Sequence, residues 1–192
     1  GDTLLLIYVG EPQPYSVNRE IFIDFIPNGN YVNQGAWQLV FRPIRIVAGN
    51  YSLYMPSSQV KGSDTRFLQP IPEQTLTVPS TAERVITVGA YDGTYESYGD
   101  FSGRGYVTRL SEGYIHLVKP EFLAPGVGIL AENAEGLQRL SGTSFATPFV
   151  TGAAALFMEK AIIYGEDPYL YGEKMKARLC AGAKGLSGTS AR

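Results

Sequence analysis

The chain has little cysteine, little histidine and no excess of charge, and each shortage excludes a kind of protein. Cys180 is the only cysteine among 192 residues, so no internal disulfide can form. His116 is the only histidine, and no carboxylates cluster at ligand spacing, so no bound metal or cofactor is indicated. A formal net charge of -2 gives no electrostatic case for binding nucleic acid or an anionic membrane.

Long hydrophobic runs are also missing. No run reaches the roughly 18 apolar residues of a membrane-spanning helix, so we expect no membrane segment. Residues 4–9 are apolar, but they lack the basic start and the cleavage pattern of a signal peptide. The apolar content of 44% is nevertheless sufficient for a core, in one or two domains.

The pattern of the chain changes near residue 76. Short apolar or alternating segments are separated by turn residues before that point, at 3–9, 17–25, 37–47, 51–56 and 65–68. Strands spaced by about 8–12 residues predict a β-sandwich or jelly-roll segment over residues 1–76. The alternative is that these strands extend the sheet of the following domain.

Residues 77–192 have an α/β pattern instead. We predict buried strands over 85–90 and 116–122, with a tight turn at 124–126. A long helix is predicted from near Ser144 to about Tyr164. A final helix is predicted over 169–181, with Glu173 and Lys174 on its exposed side.

The sequence GTSFATP, residues 142–148, places Ser144 where a turn becomes a helix. A hydroxyl there lies among unpaired backbone N–H groups and at the positive end of the helix dipole. Such groups can stabilise an oxyanion that develops beside the serine. Serine is also a favoured helix cap, so its position alone leaves both interpretations open.

The longer stretch from Gly142 to Gly152 resembles the nucleophile motif of subtilisin-like (S8 subtilase) serine proteases, Gly-Thr-Ser-(Met/Phe)-Ala-(Thr/Ser)-Pro-x-Val-(Ser/Thr)-Gly. Residues 82–92 and 118–129 resemble two further strand blocks of that family, in the same order. The resemblance implies a subtilisin-like fold with Ser144 as the nucleophile. It also implies that the Ser144 N–H and the Thr143 hydroxyl contribute to oxyanion stabilisation.

The base and the carboxylate that such a serine needs have no match in this chain. The family's histidine lies in Gly-His-Gly-Thr-His, whereas His116 lies in GYIHLVKP and is interpreted as structural or solvent-facing. Asp2 and Asp64 begin imperfect copies of the family's Asp-(Ser/Thr)-Gly, and both lack the glycine. Asn50 follows Ala-Gly as the family's oxyanion asparagine does, but an alternating pattern follows it, and we interpret it as a turn residue.

Two features at the chain ends complete this interpretation. Ser190 repeats the local Ser-Gly-Thr-Ser, but no helix can follow it. Because the chain starts at Gly1, we interpret it as the C-terminal part of a protease, inactive alone. Its aspartate, histidine and oxyanion asparagine are then expected on upstream sequence. The expected partners are a protein or peptide substrate and the upstream half of the same protease.

Residues 167–179 resemble the closing helix of the germination-specific, Csp-type subtilases of spore-forming bacteria, which carry an inserted jelly-roll. The resemblance implies processing of a proenzyme during germination, in an extracellular or spore-associated setting. Some members of that branch are inactive scaffolds, which leaves a pseudoprotease as an alternative. A third possibility is a carbohydrate-binding β module that stacks sugars on the aromatic rings of Tyr31, Trp37, Tyr51 and Tyr54. Aromatic residues at strand spacing more often fill a core, however.

Overall fold

The computed structural model describes residues 3–14, 19–46, 49–109 and 115–186. The chain divides into two compact units, Gly1–Tyr54 and Met55–Arg192. The boundary that the sequence predicts at residue 76 stays a prediction.

The described residues of the first unit contain one antiparallel hairpin. Strand β1 (Thr3–Val9) pairs with β2 (Ile21–Pro27), from Thr3 opposite Pro27 to Val9 opposite Ile21. The N–H of Gly10 continues the pairing by donating to the Glu20 carbonyl over 2.8 Å. These two strands confirm the first two apolar segments of the sequence as β-structure.

The remaining predicted strands of this segment do not form in the described residues. No strand lies within 28–46 or 49–87, so the strands predicted over 37–47, 51–56 and 65–68 are wrong as far as those residues are described. An alternating segment forms a strand only when a partner completes its hydrogen bonds. No such partner lies beside these segments in the described part of the chain.

The aromatic residues expected to fill a core are exposed instead. Tyr31 is 86% exposed and Trp37 is 50% exposed, although the Trp37 ring meets Phe25 edge-on at 5.0 Å. Tyr51 and Tyr54 are also exposed, at 72% and 67%. No second layer of described residues in this unit covers these rings.

The second unit begins with a short helix, α1 (Ser58–Lys61), and a 3-10 turn over Pro72–Gln74. The strands that follow in the described residues are, in chain order, β3 (Val88–Asp92), β4 (Ser97–Tyr98), β5 (Gly105–Arg109), β6 (Ile115–Lys119), β7 (Phe122–Pro125), β8 (Ile129–Asn133) and β9 (Gly136–Leu140). Strand β3 is central, with β4 antiparallel on one side and β7 parallel on the other. The pairs β5–β6 and β8–β9 are separate antiparallel hairpins.

The single strand predicted over 116–122 is two strands in the structure. Strand β6 ends at Lys119 and β7 begins at Phe122. Pro120 lies between them and has no N–H to donate to a ladder, so one continuous pairing cannot run through it. The strand predicted over 85–90 begins later, at Val88.

Both predicted helices are present. Helix α2 (Thr143–Met158) continues into a π-helical turn, Glu159–Ile163, and α3 spans Gly172–Gly182. Helix α2 contacts β3 and β7. The contact is made by three buried alanines, with Val88 and Val150 beside them: Ala90, Ala124 and Ala146. Residues this small allow the helix to approach the sheet closely.

The helical stretch Thr143–Ile163 corrects the expectation of no membrane-length segment. It has 21 residues and contains an 18-residue window with a mean hydropathy of 1.3, so it is long and apolar enough to cross a membrane. The sequence contains no continuous apolar run here because threonine and glycine interrupt it, but the average over the window remains high. The core helix of a water-soluble protein passes the same test.

Candidate active site

Ser144 is the second residue of α2, and its side chain is exposed. The nucleophile hypothesis requires both an accessible hydroxyl and a place at the amino end of a helix. The structure has both, so the motif and the local geometry agree. The catalytic role of Ser144 stays a prediction.

The start of α2 is fixed by backbone contacts. Gly142 caps the helix in an extended conformation (φ 161°, ψ 156°), without a side-chain cap. Its N–H donates to the Gly126 carbonyl over 2.8 Å, and its carbonyl accepts from the Phe145 N–H at 3.1 Å. The amides of Thr143 and Ser144 belong to the first turn, which has no intrahelical carbonyl for them. They therefore give the site donors and the positive end of a helix dipole.

Thr143 is half-buried at the first position of α2. Its carbonyl accepts from the Thr147 hydroxyl at 2.9 Å, and the Thr147 carbonyl accepts from the Thr151 hydroxyl at 3.1 Å. Each of the two downstream hydroxyls is therefore bonded to a helix carbonyl four residues nearer the amino end. The oxyanion role of the Thr143 hydroxyl stays a prediction.

The segment before Ser144 is tied to the end of β7. The Gly128 N–H donates to the Ser141 hydroxyl at 2.9 Å, and Arg139 Nη1 donates to the Gly128 carbonyl at 3.0 Å. The β8–β9 hairpin leaves the sheet after Gly126 and returns to Gly142, so these bonds close its base. The segment that leads to Ser144 is therefore hydrogen-bonded to the chain that follows β7, through Ser141 and Gly142.

A buried charge cluster lies at the other end of β7 and was not predicted from the sequence. Lys119 is 1% exposed, and its Nζ donates to the Val85 carbonyl at 2.9 Å and to the Thr87 hydroxyl at 3.2 Å. The same ammonium lies 2.9 Å from a carboxylate oxygen of Glu121. Lys176 of α3 forms a second ion pair with Glu121 and donates to the Val85 carbonyl at 3.2 Å.

The protonation of Glu121 follows from these contacts. Burial would raise the pKa of Glu121, but hydrogen bonds from the two lysines and a backbone N–H outweigh it and hold the pKa below its ordinary value. The cluster therefore contains a carboxylate between two ammonium groups. It fastens α3 to the strand region that precedes the candidate site. The only signal in the sequence was a Lys-Pro-Glu tripeptide beside an apolar strand.

The structure describes only some of the other residues singled out by sequence motif. His116 pairs through its backbone with Thr108, and its side chain lies outside what the structure describes. Asp2 and Ser190 also lie outside the described residues. Asp64 is exposed, accepts a hydrogen bond from the Ser63 hydroxyl at 3.3 Å, and has no bond to Ser144 in the described part of the chain.

Asn50 and Cys180 complete this set. Asn50 is exposed and lies in the first unit, without a strand on either side in the described residues. Burial raises the pKa of the Cys180 thiol, and the charge of Glu121 raises it further. A raised pKa disfavours the reactive thiolate. Among the described residues, no group of three or more histidine, cysteine or acidic side chains is arranged to hold a metal.

Comparison with known proteins identifies the family. The model of the subtilase family, Peptidase_S8, matches residues 42–191. Serine protease AprX of Bacillus subtilis is 35% identical over 108 residues, which cover 45% of this chain and 23% of AprX. The subtilase-type proteinase RRT12 of Saccharomyces cerevisiae is 38% identical over 87 residues, covering 44% of this chain and 15% of RRT12.

A solved structure is similar over nearly the whole chain. The CspB protease of Clostridium perfringens is 36% identical, with a TM-score of 0.78 over 99% of this chain and 39% of CspB. The chain thus spans less than half the length of each of these relatives. The likeness to CspB is consistent with the predicted Csp-type branch. With its family-wide match, its Gly-Thr-Ser motif and its subtilase-like fold, the chain belongs to the subtilase family of serine proteases.

Proposed function

We propose that this chain supplies the nucleophile block of a subtilisin-like serine endopeptidase and that Ser144 is the nucleophile. The observation that carries the proposal is an exposed Ser144 in the first turn of α2, within a complete family motif. In this proposal Ser144 Oγ attacks a peptide carbonyl, and its proton passes to a histidine base. The Ser144 N–H and the Thr143 hydroxyl then stabilise the oxyanion.

The base, its carboxylate partner and the oxyanion asparagine come from upstream sequence of the same protein. The family's histidine motif is absent from these 192 residues. Loss of one oxyanion donor slows catalysis by about 100- to 1000-fold, and loss of the base leaves the serine without activation. Residues 1–192 alone are therefore expected to be inert, whereas the complete protein is active.

The exposed apolar face of α2 supports the proposal that another part of the protein covers this helix. Large apolar side chains on this helix and its π-helical end are open to solvent: Phe149 at 49%, Leu156 at 68%, Phe157 at 38% and Ile163 at 75%. In a soluble protein such a surface marks an interface. The upstream half of the same protease is the proposed occupant, because the opposite face of the helix already packs on the sheet through Ala146. This assignment involves no membrane and no nucleic acid.

The first unit is proposed to be the end of a jelly-roll insert in a Csp-type protease. The likeness to CspB over 99% of the chain, the β1–β2 hairpin and the exposed rings of Tyr31 and Trp37 support this proposal. The insert would supply the strands that cover those rings. On this basis the protease acts on a protein substrate, processing a proenzyme in spore germination, in an extracellular or spore-associated setting.

Labelling with a fluorophosphonate and hydrolysis of a peptide substrate test the proposal. The complete protein should label at one serine and hydrolyse the peptide, Ser144→Ala should do neither, and residues 1–192 alone should be unreactive. Labelling of the isolated chain at Ser144 would refute activation by the upstream half. A folded complete protein that lacks both reactions would favour a regulatory pseudoprotease instead.

A further inference from the structure

Gly126 lies where the sheet closely approaches the amino end of α2. A Cβ atom built on Gly126 would lie 2.6 Å from Ala90 Cβ, 2.9 Å from the Gly142 carbonyl oxygen and 3.1 Å from Ala146 Cβ. The first contact is with β3, and the other two are with the cap and first turn of α2. No side chain fits between these elements.

The reason for glycine at this position is space. Gly126 is not among the residues with positive φ, so an alanine could adopt its backbone conformation. Both Ala90 and Ala146 are fully buried at 0% exposure, so neither methyl group has a free direction in which to move. The Gly142 oxygen belongs to the backbone, so moving it moves the start of the helix.

Hydrogen bonds connect the same three elements. The Gly126 N–H donates to the Tyr91 carbonyl at 3.0 Å, and the Gly126 carbonyl accepts from the Gly142 N–H at 2.8 Å. Gly142 is two residues before Ser144. The hydrogen bonds of Gly126 therefore help to fix the position of Ser144 relative to the edge of the sheet.

We propose that Gly126 is a positioning residue for Ser144: by lacking a side chain, it lets the first turn of α2 sit directly on the ends of β3 and β7. This inference rests on the proposed role of Ser144 as the nucleophile. A methyl group at position 126 would push the Gly142 oxygen from 2.9 Å towards the ordinary contact range of 3.4–4 Å. A misplacement of about 1 Å in a catalytic site can cost about 100-fold in rate.

Gly89 provides a matched control. Its added Cβ would lie 2.6 Å from Leu123 Cδ2, 2.8 Å from Pro120 Cγ and 2.9 Å from Ser102 Oγ. These distances are as short and involve the same sheet, but all three atoms are side-chain atoms and none belongs to α2 or to Gly142. Gly89→Ala therefore strains the core without pressing on the helix that carries Ser144.

The experiment compares kcat, KM and Tm of the complete protein with those of Gly126→Ala, Gly89→Ala and Ser144→Ala. We expect Gly126→Ala to lose 10- to 100-fold in kcat with KM changed less than about threefold. Gly89→Ala should also lower Tm but keep kcat within about threefold. Equal losses of kcat in the two glycine variants would show a merely structural effect and overturn the inference.

A second variant keeps the test decisive if Gly126→Ala does not fold. Combining it with Ala90→Gly removes the 2.6 Å contact with the sheet and leaves the 2.9 Å contact with Gly142. Low kcat in the folded double variant supports positioning, and wild-type kcat overturns it. If Ser144→Ala is inactive while the Gly126 variants match the wild type, only this inference fails. If Ser144→Ala keeps its activity, the proposed function itself fails.

Discussion

The ammonium of Lys119 lies 2.9 Å from the carboxylate of Glu121, two residues further along the chain, in a place where Lys119 is 1% exposed. Two residues of opposite charge on either side of a proline would ordinarily face solvent. Here both turn inwards, and Lys176 of α3 joins them. The stability of the second unit therefore depends on a charge balance that one substitution can break.

Glu121→Gln removes the carboxylate between the two lysines. Breaking a buried ion pair by deleting one partner costs about 3–5 kcal/mol, because the remaining charge stays buried without compensation. We expect a loss of this size in the free energy of unfolding of the complete protein, measured by urea denaturation. Glu166→Gln is the control, since its pair with Lys160 is exposed and 3.7 Å long, and it should change stability by less than about 1 kcal/mol. Equal effects of the two variants would contradict a structural role for the cluster.

The same carboxylate predicts how stability varies with pH. The pKa of Glu121 is lower in the folded protein than in the unfolded chain, so the folded state favours the ionised form. Its contribution is therefore present above the ordinary glutamate pKa of about 4.3 and is lost as the pH falls through the lower native pKa. Measurements of Tm against pH should fall less steeply below about pH 4.3 in Glu121→Gln than in the wild type. Parallel curves would contradict the assignment.

Enlarging Ala146 should weaken the contact between α2 and the sheet. Ala146 is 0% exposed and packs with Ala90 and Ala124, so the extra carbons of Ala146→Val have no space. Overpacking of this kind costs about 1–3 kcal/mol. Denaturant titration should show this loss, together with reduced peptide hydrolysis by the complete protein. Ala177→Val, at an exposed position of α3, is the control and should show less than about 1 kcal/mol.

The exposed face of α2 gives a prediction about the complete protein. Leu156 is 68% exposed in this chain, and truncation of an exposed side chain changes stability by less than about 0.5 kcal/mol. If the upstream half covers it, Leu156→Ala should instead cost about 2–5 kcal/mol in the complete protein. Lys160→Ala serves as a control on the adjoining π-helical turn. A negligible effect of Leu156→Ala would mean that this face stays uncovered and would contradict the proposal. Binding of the protein to lipid vesicles would then be measured.

Local patterns in the sequence predicted the start of α2 better than they predicted the strands of the first unit. The start of α2 at Thr143 was predictable because the motif, Gly142 and the following small apolar residues all act within a few positions. The cluster of Glu121 with Lys176 was not, because the two residues lie far apart in the sequence and each resembles a surface residue there. The segment around Tyr51 has the alternating pattern of a strand. Alternation determines only which side chains share one face, and it does not provide the neighbouring strand that a sheet requires.

The close approach at Gly126 was also beyond sequence reasoning. The tripeptide at 124–126 predicts a tight turn, and a turn explains glycine by conformational freedom. The structure gives a different reason, because the neighbouring atoms of Ala90 and Gly142 leave no room for a methyl group. Such contacts depend on elements that meet only in the folded chain.

The β1–β2 hairpin has a practical consequence for anyone who produces this polypeptide. Among the described residues, no third strand pairs with this hairpin, so the outer edges of Thr3–Val9 and Ile21–Pro27 have backbone amide and carbonyl groups without a strand partner. Exposed strand edges of this kind pair with further chains and promote aggregation. We expect expression together with the proposed upstream half to reduce such precipitation more than a change of buffer does.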